Sequence, residues 1–108
     1  MKDFNGIELC NNCSKRVDIH VRASLRNGEL TVSGQDLGPL VEEVWGDADY
    51  EYWYSFDRQN TEKLFSAIDG TEDPEKALLK RFSGKDGCRA LRSFCKKNKI
   101  TYNFFSYA

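Results

Sequence analysis

From Val17 to Leu25 the chain alternates without a break. Val17, Ile19, Val21, Ala23 and Leu25 fall on one side, and Asp18, His20, Arg22 and Ser24 on the other. This is the two-residue period of a strand with one buried face. Asn27-Gly28 follows directly, a pair suited to the positive φ angles of a tight hairpin turn, so ELTVSG is expected to return antiparallel to the first strand. QDLGPLVEEV has no clean period and contains Gly38 and Pro39, which marks a connection with one short helical turn over Leu40 to Val44. The next segment, WGDADYEYWYSFD, reads as a third strand. Gly46, Ala48, Tyr50, Tyr52, Tyr54 and Phe56 would share one face, while Trp45, Asp47, Asp49, Glu51, Trp53 and Ser55 share the other.

The period then changes. NTEKLFSAI has Asn60 or Thr61 as a cap, Leu64, Phe65 and Ile68 at helical spacing, and Gly70 as its end. DPEKALLKRFSG is more fully marked: Asp73 caps, Pro74 takes the first helical position, Glu75 complements the positive end of the helix dipole, and Gly84 terminates. In DGCRALRSFCKKNK, Cys88, Leu91 and Cys95 form an apolar stripe, and Lys85, Arg89, Arg92 and Lys96 a basic one. ITYNFFSYA is built from strand-formers and is expected to dock on the sheet. The pattern therefore predicts an α+β fold: an antiparallel sheet with strands at about 16–25, 29–34, 48–56 and 100–106, and about three helices at 60–69, 74–83 and 87–98 packed on one face. Residues 1–108 form one domain in this reading, with 1–14 as a polar, mobile lead-in.

Composition narrows the class. With 40% hydrophobic and 31% charged residues in 108, the chain is expected to fold around a core of its own. No apolar run approaches the roughly 20 residues of a spanning helix, and MKDFNGIELC lacks an apolar signal region, so a cytoplasmic protein without membrane contact is expected. The net charge of −1 conceals a division. Between Gln35 and Asp57 there are seven carboxylates and no Lys or Arg, whereas from Lys76 to Lys99 nine cations stand against Asp86 alone. Such segments either neutralise each other across the fold or form separate interaction surfaces.

Catalytic and metal-binding constellations are harder to find. The four thiols suit a structural zinc in number, but Cys88 and Cys95 lie seven residues apart on one helix, about 10.5 Å along its axis. Bridged cysteines need Cα atoms within about 7 Å, so these two are expected to be small core residues. Cys10 and Cys13 are left as reduced thiols, half of a site completed by another molecule, or a redox pair. The last reading lacks the helix that normally follows a redox CxxC. His20 is the only histidine and falls on the polar face of the first strand, with no nucleophile that can be named beside it. Asp47, Asp49 and Glu51 match the opening of a calcium loop, but Tyr52 and Arg58 occupy the places where that loop needs Gly and a bidentate Glu. SGKDG lacks the Gly-Lys-Ser/Thr ending of a phosphate loop. No catalytic residue, metal or cofactor is assigned.

Binding is what remains. If the tyrosines of the third strand turn inward, Trp45, Asp47, Asp49, Glu51 and Trp53 face outward together, large aromatics among carboxylates, as at an interface that receives a basic partner. The rival surface is the stripe Lys85, Arg89, Arg92 and Lys96, which would lie along a polyanion, although no base-stacking aromatic is interleaved with it in sequence. The block ELTVSGQDLGPLVEEVWGDADYEYWYSFD, with the ending KITYNFFSYA, resembles a set of small uncharacterised bacterial proteins. The resemblance implies a bacterial or mobile-element origin and brings no activity, cofactor or site residue with it. The leading expectation is a non-enzymatic protein-binding module, monomer or homodimer, in the style of an inhibitor or immunity protein. A small hydrolase or nucleotide-handling enzyme with a pocket not legible in sequence is one alternative, and a nucleic-acid-associated protein acting through the third helix is the other.

Overall fold

The computed structural model describes residues 2–46 and 49–107. Five strands, β1 (Phe4–Cys13), β2 (Asp18–Arg26), β3 (Glu29–Leu37), β4 (Asp49–Ser55) and β5 (Asn103–Tyr107), form one antiparallel sheet whose spatial order follows the chain, β1-β2-β3-β4-β5. Four helices accompany it: α1 (Pro39–Trp45) between β3 and β4, and α2 (Arg58–Ala67), α3 (Pro74–Phe82) and α4 (Gly87–Lys97) between β4 and β5. The fold is α+β, as the hydrophobic pattern predicts.

Alternation on β2 and β3 has the expected effect. Val21, Ala23 and Leu25 on β2 and Leu30 and Val32 on β3 are buried and join one core cluster with Leu64 and Phe65 of α2, Leu78 and Phe82 of α3, and Leu91 and Cys95 of α4. We call this the inner face of the sheet. Asn27 and Gly28 turn the hairpin at φ 54° and 77°, leaving Arg26 opposite Glu29. Asp73 accepts from the Lys76 amide at 3.2 Å and opens α3 with Pro74 in its first turn, also as expected.

β3 runs on to Leu37, three residues past its expected end, which draws Asp36 out of the expected connection into the sheet, and β5 starts at Asn103 rather than Ile100. Three further features differ from the pattern. The polar lead-in expected over 1–14 is largely the strand β1, paired along its length with β2. Register shifts between Phe4 and Ile7 and between Glu8 and Cys10 break its alternation, so the neighbours Leu9 and Cys10 are both buried and no two-residue period survives. The connection before the third strand contains a full helix, α1, which makes four helices rather than about three. Gly46, in the left-handed region at φ 79°, closes it through its amide to the Glu42 carbonyl at 2.9 Å. The first long helix starts at Arg58 because Asp57, rather than Asn60 or Thr61, is its cap, accepting from the Asn60 amide at 2.8 Å. Thr61 has another task. Fully buried, it donates to the Phe56 carbonyl at 3.3 Å and accepts from the Leu30 amide at 3.0 Å, tying α2 to the start of β3.

Two glycines fix how closely the layers approach. A Cβ on Gly87 would lie 2.0 Å from the Phe82 carbonyl oxygen, so the tight passage from α3 into α4 requires glycine there. A Cβ on Gly34 would lie 2.1 Å from the ring of Tyr52, its cross-strand partner, whose ring covers the bare backbone.

Candidate functional site: two faces of one strand

β4 carries the chemistry and presents it in opposite directions. Tyr52 and Tyr54 are buried on the inner face, and Tyr50 packs against the same core. Their rings form a continuous series: Tyr50 to Tyr52 at 5.5 Å, Tyr52 to Tyr54 at 6.2 Å, then Tyr54 to Tyr102 at 5.4 Å and to Phe104 at 5.0 Å. Most of the aromatic area in this segment is therefore core, and the two fully inward hydroxyls, those of Tyr52 and Tyr54, find partners. The Tyr52 hydroxyl donates to Asp36 Oδ1 at 2.9 Å, and Arg92 Nη1 of α4 donates to the Tyr54 hydroxyl at 2.7 Å. Burial raises the Asp36 carboxyl above the ordinary carboxylate range against the lowering effect of the Tyr52 bond. Burial likewise raises Tyr52 and Tyr54. The bond from Arg92 acts in both directions, holding Tyr54 down and the guanidinium up.

These groups line a cleft of about 210 Å³ between the inner face and the start of α4. Its sheet side carries Asp36, Tyr50, Tyr52 and Tyr54, and its helix side carries Lys85, Arg89 and Arg92 with Asp86 among them. Three of the four residues of the basic stripe thus meet in one place, while Lys96, a turn further along α4, is not part of the lining. The aromatics absent from the stripe in sequence are supplied by β4 and by Phe104 of β5. Cys88 also borders the cleft, but burial pushes its thiol up to about 11, so at neutral pH it is protonated and a poor nucleophile. Cys95 is buried in the core, and its thiol is also raised to about 11 by burial.

The outer face of β4 presents Asp49, Glu51 and Trp53, as the alternation predicts. Asp49 accepts from Gln35 Nε2 at 3.1 Å. Trp53 stands between Ser33 on β3 and Phe105 on β5, its ring 5.4 Å from that of Phe105. Glu51 is opposite Tyr107. Phe105 and Tyr107 are 62% and 69% exposed, so with Trp53 they make an uncovered aromatic group beside two carboxylates. Arg22, across the sheet, turns its guanidinium to the Gly6 carbonyl at 2.5 Å rather than to these acids.

Trp45 was expected in this outward set and is placed elsewhere. It ends α1 instead of entering the strand, and it stacks on Tyr50 at 4.4 Å and 8°, with the inward-facing rings. The cause is the Gly46 turn, which stops the strand from extending back to Trp45. Asp47 lies outside the described residues. Sequence reading missed Phe105 and Tyr107, although Asn103, Phe105 and Tyr107 alternate in NFFSY, and it missed Asp36, which no local pattern connects to α4. Among the described residues no three His, Cys, Asp or Glu side chains are grouped to hold a metal ion, and no helix is long and apolar enough to cross a membrane. Compared with known proteins, the chain matches no family model, no curated protein and no solved structure.

Proposed function

We propose that this protein is a binding module that captures another protein through the outer face of β4 and β5, and that it works by occupancy rather than by catalysis. The observation that carries this reading is the Trp53–Phe105 ring pair, which lies on the sheet face opposite the packed helices with Glu51 beside it. Rigid aromatics ringed by charge supply contact area with little side-chain entropy to lose, and such residues dominate the energetics of interfaces. Asp49 and Glu51 are the charged residues on the outer side of β4, and β5 contributes none, so the matching partner surface is basic with an apolar centre. An inhibitor or immunity-type role fits such a stoichiometric module.

Affinity purification from the source cells, followed by measured binding of the recovered partner, tests this. Phe105→Ala and Glu51→Lys are expected to weaken the recovered complex by about tenfold or more each, with thermal melting unchanged within a few degrees. A complex that survives both substitutions at full affinity would falsify this docking face.

A further inference from the structure

We propose that the cleft between α4 and the inner face of the sheet is a binding site for a small phosphorylated ligand with a planar ring, of the nucleoside monophosphate class. Three features of the cleft point to that chemistry, and none of them belongs to the outer face.

The first is an excess of positive charge, three cations on the helix side against two carboxylates, Asp86 beside them and Asp36 on the sheet side. Lys85, Arg89 and Arg92 converge on one wall, and among the described residues none of them is within ion-pair distance of a carboxylate, the one such pair being Arg16 with Glu43 at 2.7 Å. Arg92 uses one N–H on Tyr54, which leaves the rest of its donor fork for an incoming anion. Guanidinium groups match phosphate oxygens in a planar, bidentate manner. The second is a ring-binding wall. Tyr50 and the half-exposed Phe104 border the same space, and a heterocyclic base stacks favourably on such side chains. The third is the polar floor. Asp36 holds the Tyr52 hydroxyl with one oxygen and keeps acceptor capacity in the other, while the Tyr54 oxygen accepts from Arg92 and leaves its own O–H to donate. A ligand that suits this floor carries ring N–H donors at one end and an anion at the other, as a nucleotide does. Bare phosphate would leave Asp36 unmatched, and a nucleoside would leave the cations unmatched. The volume, about 210 Å³, suits one ring with its phosphate at the mouth rather than a dinucleotide.

The test is an NMR titration of the intact chain with AMP, GMP, CMP and UMP, and separately with inorganic phosphate, the matching nucleosides and a short single-stranded oligonucleotide. At least one mononucleotide is expected to bind with a dissociation constant below about 1 mM, shifting resonances of Tyr54, Arg89 and Arg92 and leaving those of Trp53 and Phe105 in place. Phosphate and nucleoside alone are expected to bind at least about tenfold more weakly. Arg89→Glu is exposed and should fold normally while losing about tenfold or more in affinity, and Asp36→Asn should change the ranking of the four bases. No shift with any mononucleotide, shifts that persist unchanged in Arg89→Glu, or binding seen only with the oligonucleotide would each overturn the proposal. Trp53→Ala should leave the titration untouched, so failure here and failure of protein capture by the outer face are separable results.

Discussion

Two neighbours on β4, Trp53 and Tyr54, differ by one step of chain and live in different surroundings. Tyr54 is 1% exposed, is ringed by Tyr52, Tyr102 and Phe104, and has its hydroxyl tied to Arg92. Trp53 touches Phe105 across the strand and faces solvent over a shallow groove lined by His20, Gln35 and Glu51. The lesson is that an aromatic-rich stretch has no single role. The pleat divides it into a half that stabilises the fold and a half that is free to serve another purpose, and the division is set by position rather than by residue type.

Breaking the inner half should have the largest effect. Tyr54→Ala empties a fully enclosed site and releases Arg92, and it is expected to cost about 4 kcal/mol in chemical denaturation. Gly34→Val forces the Tyr52 ring off the β3 backbone and pulls its hydroxyl from Asp36, with an expected loss of about 2–3 kcal/mol. A loss under about 0.5 kcal/mol would mean that the ring relocates freely, and the close packing of the inner face would then be wrong. On the outer half, Trp53→Ala removes one ring pair at a half-exposed position and should cost only about 1 kcal/mol. Equal costs for Trp53→Ala and Tyr54→Ala would erase the contrast between the faces.

The smallest effect concerns pH. Because burial raises the Asp36 carboxyl in the folded protein, the folded state binds its proton more tightly than the unfolded chain does. This contribution to stability is therefore full below the ordinary carboxylate pKa and declines as pH rises from there through the raised value. Asp36→Asn should flatten that part of the stability profile. Asp57 has the opposite sign, since the Asn60 amide and side chain hold its carboxyl below the ordinary range. Its contribution is present above the ordinary pKa and is lost as pH falls through the lowered one. Melting curves of Asp36→Asn and Asp57→Asn across the acid range separate the two.

Most of the fold was legible because β2, β3, α3 and α4 obey simple periods and are bounded by their own signals, the Asn27-Gly28 turn, the Asp73-Pro74 helix start and the Gly84 stop. β1 was not, since its irregular register places Leu9 and Cys10 inward together and imitates an unstructured polar segment. Sidedness of Asp49, Glu51 and Trp53 could be derived from alternation. The Trp45 assignment failed because a helix end with a glycine turn and a strand with a glycine give similar local patterns. Asp36 and Arg92, which line the cleft together, are far apart in sequence and joined only by packing, so no reading of spacing connects them.

The late position of β5 in the chain has a dynamic consequence. Its neighbour β4 ends at Ser55, and all of α2, α3 and α4 intervene before Asn103 comes back to pair with that residue. Every residue of β5 is exposed, whereas β2 and β3 are clamped on both sides by other strands. Hydrogen exchange should therefore find the amides of this strand the quickest in the sheet to trade with solvent, opening in a local event that leaves the interior intact. Each opening would separate Phe105 from Trp53 and Phe104 from Tyr54 at once, so fraying of one short ribbon would be felt on both sides of the protein together.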